Sequence, residues 1–344
     1  MMEIDGSYGE GGGQILRTAL SLSCLFRKPF SMVNIRKARR KPGLMPQHLT
    51  SVRASQLLAH ADVRGDHVGS TELTFMPGEV KGGSFFFEIG TAGSTMLVLQ
   101  TLIPALIFSK EKSEIILTGG THVPFSPSFH YVREVFMPFL EKLGIRIALT
   151  IESYGFYPKG GGKIRAHLFP CGAPGPVRVL ERGRMIVLEG YSGVGNLPVS
   201  IAERQRNALL GKVHAEIQDL RSAGEVELLT VPASGQGTFV FLKAGSENSV
   251  AGFCSLGERG KKAEAVGDEA AEEFIRYYFS GAALDPHLPD QLALYLALCN
   301  GESEFTTSQI TQHLLTNLWV IGLFHEFRYV VEGETGKPGK VKIG

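Results

Sequence analysis

Thr311-Gln312-His313-Leu314-Leu315-Thr316-Asn317 lies in a run, 308–324, whose apolar residues Ile310, Leu314, Leu318 and Ile321 recur at helical spacing. The spacing predicts one buried or half-buried helix. His313 falls within about the first turn, where unpaired backbone N–H groups and the helix dipole favour an anion. A neutral imidazole there is a competent nucleophile toward phosphorus, because an unperturbed pKa of about 6.5 leaves much of it unprotonated at neutral pH. A core histidine satisfied by its neighbours fits the same spacing. The rest of the chain has to separate the two readings.

This helix has counterparts upstream. Three segments each carry an apolar helix, a second helix and two short β-rich runs. The first comprises 13–25, 47–61, 72–76 and 84–89; the second 94–108, 128–143, 146–151 and 163–168; the third 291–298, 310–324, 327–331 and 340–343. The second helices are entered in similar ways, through Lys41-Pro42-Gly43 with Gln47-His48, through Ser126-Pro127-Ser128, and through Thr311-Gln312-His313. Such alternation predicts α/β units with helices laid on a sheet. From 182 to 280 the texture changes. A helix over 202–220 carries Arg204, Arg206, Lys212, Glu216 and Asp219, strand-like runs follow at 225–231 and 238–244, and a further helix covers 267–279. This reads as a compact α/β insert, and it holds none of the residues assigned to chemistry below.

Composition narrows the classes of function. The 344 residues are 43% hydrophobic and 20% charged with a net charge of +1, so no global basic signal points to nucleic acid and any such binding must come from local patches. That length corresponds to two or three domain-sized units. Cys24, Cys171, Cys254 and Cys299 lie far apart without CxxC spacing, which argues against a zinc site or a disulfide framework and fits a reducing cytoplasm. The apolar run 96–108 is interrupted by Gln100 and is too short to span a bilayer, so no membrane association is expected. Met-Met-Glu-Ile-Asp-Gly at the start lacks the basic and apolar regions of a signal peptide.

Local motifs carry more. Asp5-Gly6-Ser7-Tyr8-Gly9-Glu10-Gly11-Gly12-Gly13-Gln14-Ile15-Leu16-Arg17 puts a carboxylate in a glycine-rich turn that runs into a helix. Bare N–H groups there suit phosphate, while Glu10 could hold Mg²⁺ and Arg17 a phosphate. A plain turn before a helix fits equally, and neither the dinucleotide fingerprint nor the P-loop pattern is present. Arg36-Lys37-Ala38-Arg39-Arg40-Lys41 places five cations in six residues just before Pro42-Gly43. It is either a solvated face or a contact for phosphate and RNA backbone. In His287-Leu288-Pro289-Asp290-Gln291, Pro289 and Asp290 make an ordinary helix opening; the same turn could present Asp290 to a nucleotide or to His313. Gln100, polar within an apolar helix, requires a buried partner or a ligand.

Taken together, Gly9 to Arg17, Lys41-Pro42-Gly43-Leu44 with Gln47-His48-Leu49, Gly155-Phe156-Tyr157-Pro158-Lys159-Gly160-Gly161-Gly162, Asp290-Gln291 and His313 to Asn317 closely resemble the RNA 3′-terminal phosphate cyclase family. The resemblance spans nearly the whole chain. It implies a large domain of three βαβαββ-type repeats (1–181 and 281–344) with a smaller α/β domain (182–280) inserted before the third. It also implies ATP-dependent conversion of an RNA 3′-phosphate to a 2′,3′-cyclic phosphate, with a divalent metal (Mg²⁺ or Mn²⁺) as cofactor and no obligatory protein partner. Residue by residue, His313 matches the nucleophile that becomes adenylylated, and Glu10 a metal-binding carboxylate. Arg17, Arg39, Gln47 and His48 match positions around the phosphates and RNA end. Gln100, His287, Leu288, Pro289, Asp290 and Gln291 match nucleotide contacts. Tyr154 stands where the family usually has Arg or His, which leaves the contact at that position open. The alternatives are a non-catalytic cyclase-like protein of ribosome assembly, expected to lack the histidine, and an enolpyruvyl-transferase-type enzyme, which uses no covalent histidine.

Overall fold

Short strands alternate with apolar helices from the second residue onward. The computed structural model describes residues 1–220 and 224–344. A first run contains β1 (Met2–Asp5), α1 (Gly13–Phe26), β2 (Phe30–Val33), α2 (Pro46–Ala59), β3 (Asp62–Arg64) and β4 (Leu73–Met76). A second contains β5 (Ser84–Glu88), α3 (Thr95–Ile107), β6 (Ser113–Gly119), a helical stretch, β7 (Ile147–Ser153) and β8 (Gly162–Leu168). That stretch is α4 (Phe129–Tyr131), a wider π turn over Val132–Phe136, and α5 (Met137–Lys142).

Next come β9 (Arg178–Val179), β10 (Met185–Gly195), α6 (Val199–Glu216), β11 (Glu225–Thr230), β12 (Gly237–Ser246), β13 (Val250–Leu256) and α7 (Ala263–Ser280). The chain closes with α8 (Leu288–Leu296), β14 (Ser303–Thr307), α9 (Gln312–Phe324), β15 (Tyr329–Glu332) and β16 (Gly339–Ile343).

Three four-stranded sheets have one strand order: β1-β2-β4-β3, β5-β6-β8-β7 and β9-β14-β16-β15. In each, the first pair is parallel and the other two pairs antiparallel. A parallel pair needs a crossover, and α1, α3 and α8 lie within those crossovers. The fourth sheet, β11-β10-β12-β13, is different: its parallel pair is β10 with β11.

Two expectations need correction. The run 84–89 closes no first unit; β5 opens the second sheet, paired in parallel with β6, and the missing first-sheet strand is Asp62–Arg64. The last amphipathic helix starts at Gln312, not at 308, because Ile310 is drawn into a bridge with Thr335 and the Thr311 side chain caps the Leu314 N–H at 3.1 Å. His313 is thereby the second helical residue.

Helix α1 packs between α3 and α9, so apolar faces from all three sheet-bearing runs meet in one core. The segment 182–280 has a second core of its own, with Leu209, Val213, Val240, Leu242 and Phe274. Strand alternation in β12 joins the two: Phe239 and Phe241 face the main core, while Val240, Leu242 and Ala244 face the other. A strand buried on both faces reads as a continuous apolar run, and Phe239 to Leu242 does so. No helix of the described residues is long and apolar enough to cross a membrane.

Candidate active site

The N-termini of α1, α2, α8 and α9 converge on a cavity of about 850 Å³. Loop 6–12 enters α1 with Gly9 at φ +57°, and a Cβ at Gly9 would collide with the Thr316 hydroxyl, so the loop lies flush against α9. Gly13 is equally constrained: a Cβ there would collide with Nε2 of His48. Tight seating of this loop brings Glu10 and Gln14 to His313.

Both ring nitrogens of His313 are engaged. Nδ1 lies 2.6 Å from Oε1 of Gln14, and Nε2 lies 3.0 Å from Oε2 of Glu10. Gln14 passes the contact on by donating from Nε2 to Oδ2 of Asp290 at 3.1 Å. That donation fixes which end of the amide meets the histidine, so Gln14 presents its carbonyl to Nδ1–H. Asn317 donates to the Asp290 carbonyl at 2.5 Å and accepts from the Thr18 hydroxyl at 2.6 Å, which ties α1, α8 and α9 together behind the ring. Asp290 and His313 therefore do not touch. Gln14 stands between them, a role that its position in the sequence did not suggest.

Charge sets the protonation states. The hydrogen bond to Glu10 raises the pKa of His313, against burial and assisted by the Asp290 and Glu10 charges. Burial pushes the Glu10 carboxyl up, but its bond to His313 and the charges of His313, Arg39 and Arg17 hold it below the usual value. Desolvation of the Asp290 carboxyl pushes it up to about 6 despite His313, His287 and Arg17. Burial brings Arg17 down to about 10, opposed by Glu10 and Asp290, so it stays cationic at neutral pH. Burial beside Arg17 and Arg36 drives His48 down to about 3; its Nδ1 accepts the Met45 N–H at 3.2 Å, leaving a neutral ring with the proton on Nε2.

The remaining expected residues divide in two groups. Arg39 sits on the rim, 3.4 Å from Oε2 of Glu10, and Gln100 donates to Gln291 at 2.6 Å. These three, with His287, line the cavity. Gln47 also lines it, but its Oε1 is committed to the Ser94 N–H at 2.8 Å, capping α3. Leu288 and Pro289 are buried behind the turn and do not reach the cavity wall; they shape the first turn of α8. Arg36 of the basic run staples its own loop through the Lys41 and Gly43 carbonyls, each at 2.8 Å. Tyr154 faces away from the cavity, in a buried cluster with His122, His130 and Phe239.

The cavity wall also includes Gly252 and Cys254 of β13 and Glu273 of α7. The segment 182–280 thus borders the site, although it holds none of the residues to which the sequence assigns chemistry. No group of three or more His, Cys, Asp or Glu among the described residues could cage a metal. One carboxylate, Glu10, nevertheless suits a divalent cation that takes its other ligands from phosphates and water. The volume suits a small-molecule site, which spans roughly 300–1,000 Å³. A half-exposed imidazole, oriented through both ring nitrogens and ringed by Arg17 and Arg39 at a helix N-terminus, is equipped to receive a phosphoryl-type group once Nε2 is deprotonated.

Comparison with known proteins agrees in kind. A family model described as RNA 3′-terminal phosphate cyclase matches residues 8–331. Similar curated proteins bearing that name include one from Pyrobaculum neutrophilum, 44% identical over 96% of this chain and 95% of its own. Another, from Saccharolobus solfataricus, is 43% identical and covers 100% of both chains. A third, from Methylococcus capsulatus, is 43% identical over 100% of this chain and 96% of its own.

Proposed function

The chain belongs to the RNA 3′-terminal phosphate cyclase family of enzymes, and from that premise we propose that it makes a 2′,3′-cyclic phosphate in three steps through covalent His313-AMP. The observation that carries this reading is the clamp on His313. With one proton held on Nδ1 by the Gln14 carbonyl, release of the second from Nε2, which rests against the Glu10 carboxylate, bares the lone pair that attacks.

In the first step Nε2 bonds to the α-phosphorus of ATP and the bond to the β-phosphate oxygen breaks, releasing pyrophosphate. Arg17 and Arg39 offset the phosphate charge that gathers there. In the second, an oxygen of the RNA 3′-phosphate attacks the same phosphorus and the N–P bond breaks, giving an RNA capped by AMP and restoring His313. In the third, the terminal ribose O2′ attacks the 3′-phosphorus, loses its proton, and expels AMP. Its built-in proximity supplies much of that rate. A divalent cation bound by Glu10 and the phosphates would add Lewis-acid stabilisation of the same charge. We further read the three like-ordered sheets as three repeats, with 182–280 as a separate inserted domain that enters the third after β9.

A strand ending in a 3′-phosphate on 2′-deoxyribose tests the order of steps. It should accept AMP and then stall, so a slower-migrating strand labelled from α-labelled ATP accumulates. Cyclisation of the ribose strand without consumption of ATP would overturn the scheme.

A further inference from the structure

Asp285 locks one corner of the cavity. Its Oδ1 accepts from the Tyr131 hydroxyl at 2.8 Å and from the N–H groups of His287 and Leu288 at 2.9 and 3.1 Å. Its Oδ2 accepts from the Gly252 N–H at 3.3 Å. A strand of the insert, the wall residue Tyr131 and the turn that opens α8 are thereby held as one rigid corner.

Glu273 enters that corner from α7. It forms no hydrogen bond or ion pair with any other described residue, although it lines the cavity. Its charge is felt by Tyr131 and Cys254, and it feels the charge of His287 in turn, all on the same wall. Burial pushes its carboxyl up, against the nearby His287 and Arg276 charges. Half-buried and unpaired, its carboxylate keeps its acceptor oxygens free for a ligand in the cavity.

The place of a nucleotide follows from the anchors. A nucleotide with its α-phosphorus at His313 and laid along the cavity wall would set its sugar toward the Gln100–Gln291 amide pair and its base toward His287 and Tyr131. An ionised carboxylate only accepts hydrogen bonds. Adenine offers a donor there in its 6-amino group, whereas guanine sets a carbonyl oxygen in the same position against an acceptor. We propose that Glu273 selects the base by accepting a hydrogen bond from the purine 6-amino group, so that the insert decides which nucleoside triphosphate loads His313. This rests on the reading of His313 as the AMP acceptor.

The test uses the full chain with ATP, GTP and purine riboside triphosphate, which carries hydrogen in place of the 6-amino group. Equilibrium binding and covalent labelling are both measured. The wild type should bind ATP about tenfold more tightly than purine riboside triphosphate. Glu273→Ala should erase that preference by weakening ATP alone, and Glu273→Gln, which keeps an acceptor oxygen, should restore most of it. Equal weakening of both nucleotides, no change in either, or a wild type that does not discriminate would overturn the proposal. Should the Ala variant not fold, the wild-type and Gln measurements with the base analogues decide. If binding follows the expected pattern but no covalent adenylate ever forms, the reading of His313 fails while that of Glu273 stands.

Discussion

His313 and His130 have the same kinds of neighbour, a carboxylate and an uncharged polar group, yet they end in opposite states. His313 is half exposed, its Nε2 3.0 Å from Glu10 and its Nδ1 on Gln14, and its pKa is raised. His130 is buried among Tyr191, Phe239 and Phe241, its Nε2 3.2 Å from the Tyr154 hydroxyl and its Nδ1 3.9 Å from Glu134. Burial lowers its pKa although Glu134 opposes, and the Arg133 charge adds to the lowering. Near-complete desolvation outweighs a carboxylate 3.9 Å away; a direct bond to a carboxylate at 3.0 Å outweighs partial desolvation. The first arrangement leaves a reactive ring and the second a packing element.

The sharpest break between the two is a pair of substitutions. His313→Ala should lower cyclisation by about 10³-fold or more, as loss of a covalent nucleophile does. His130→Asn should leave turnover within a few-fold of wild type at a temperature where both are folded. Comparable losses in turnover would erase the distinction.

Gln14→Ala comes next. Freed from its clamp, the His313 ring loses tautomer and orientation, and turnover should fall by about 10- to 100-fold with little change in Tm. A lower Tm with normal turnover in the surviving fold would make Gln14 a packing residue instead.

Glu10→Gln should move the titration midpoint of His313 downward, read by NMR on the nucleotide-free protein, because the bond that raises it becomes neutral. In the wild type, self-adenylylation should therefore rise with pH through the raised midpoint, as the ring gives up its second proton. A midpoint that does not move would mean the Glu10 contact has no electrostatic weight.

The smallest effect separates the clusters through stability. His122 and His48 are held neutral in the fold by burial, first of all. As pH falls through about 6.5 the unfolded chain binds protons that the fold cannot, so each costs up to about 1.4 kcal/mol per pH unit below that value. His313 has the opposite sign: its contribution is complete below the unfolded value and is lost as pH rises through its raised one. His122→Asn should flatten the acid limb of a Tm-against-pH curve, and an unchanged slope would place the acid sensitivity elsewhere.

What the sequence disclosed follows the strength of local periodicity. The helices of the core, α1, α3 and α9, were legible because their apolar faces run through several turns. Strands were not, where they are too short to show a period: Arg178–Val179 has two residues and Asp62–Arg64 three. Their register is set by partners far along the chain, Glu304 and Phe305 for the first. In the site, charged residues with unusual positions were visible, whereas Gln14 was not singled out, since a neutral amide at a helix start carries no local signal. Glu273 was missed for a related reason. On one face of an amphipathic helix it looks like any solvated acid, and only the packing of α7 beside β13 turns it toward the cavity.

The central claim is that His313 itself carries AMP. Wild-type chain incubated with α-labelled ATP and a divalent cation, then digested and mapped, should yield one labelled peptide containing His313. The label should be acid-labile and absent from the His313→Ala chain. Label that persists in that variant, or that maps to another residue, would contradict the account.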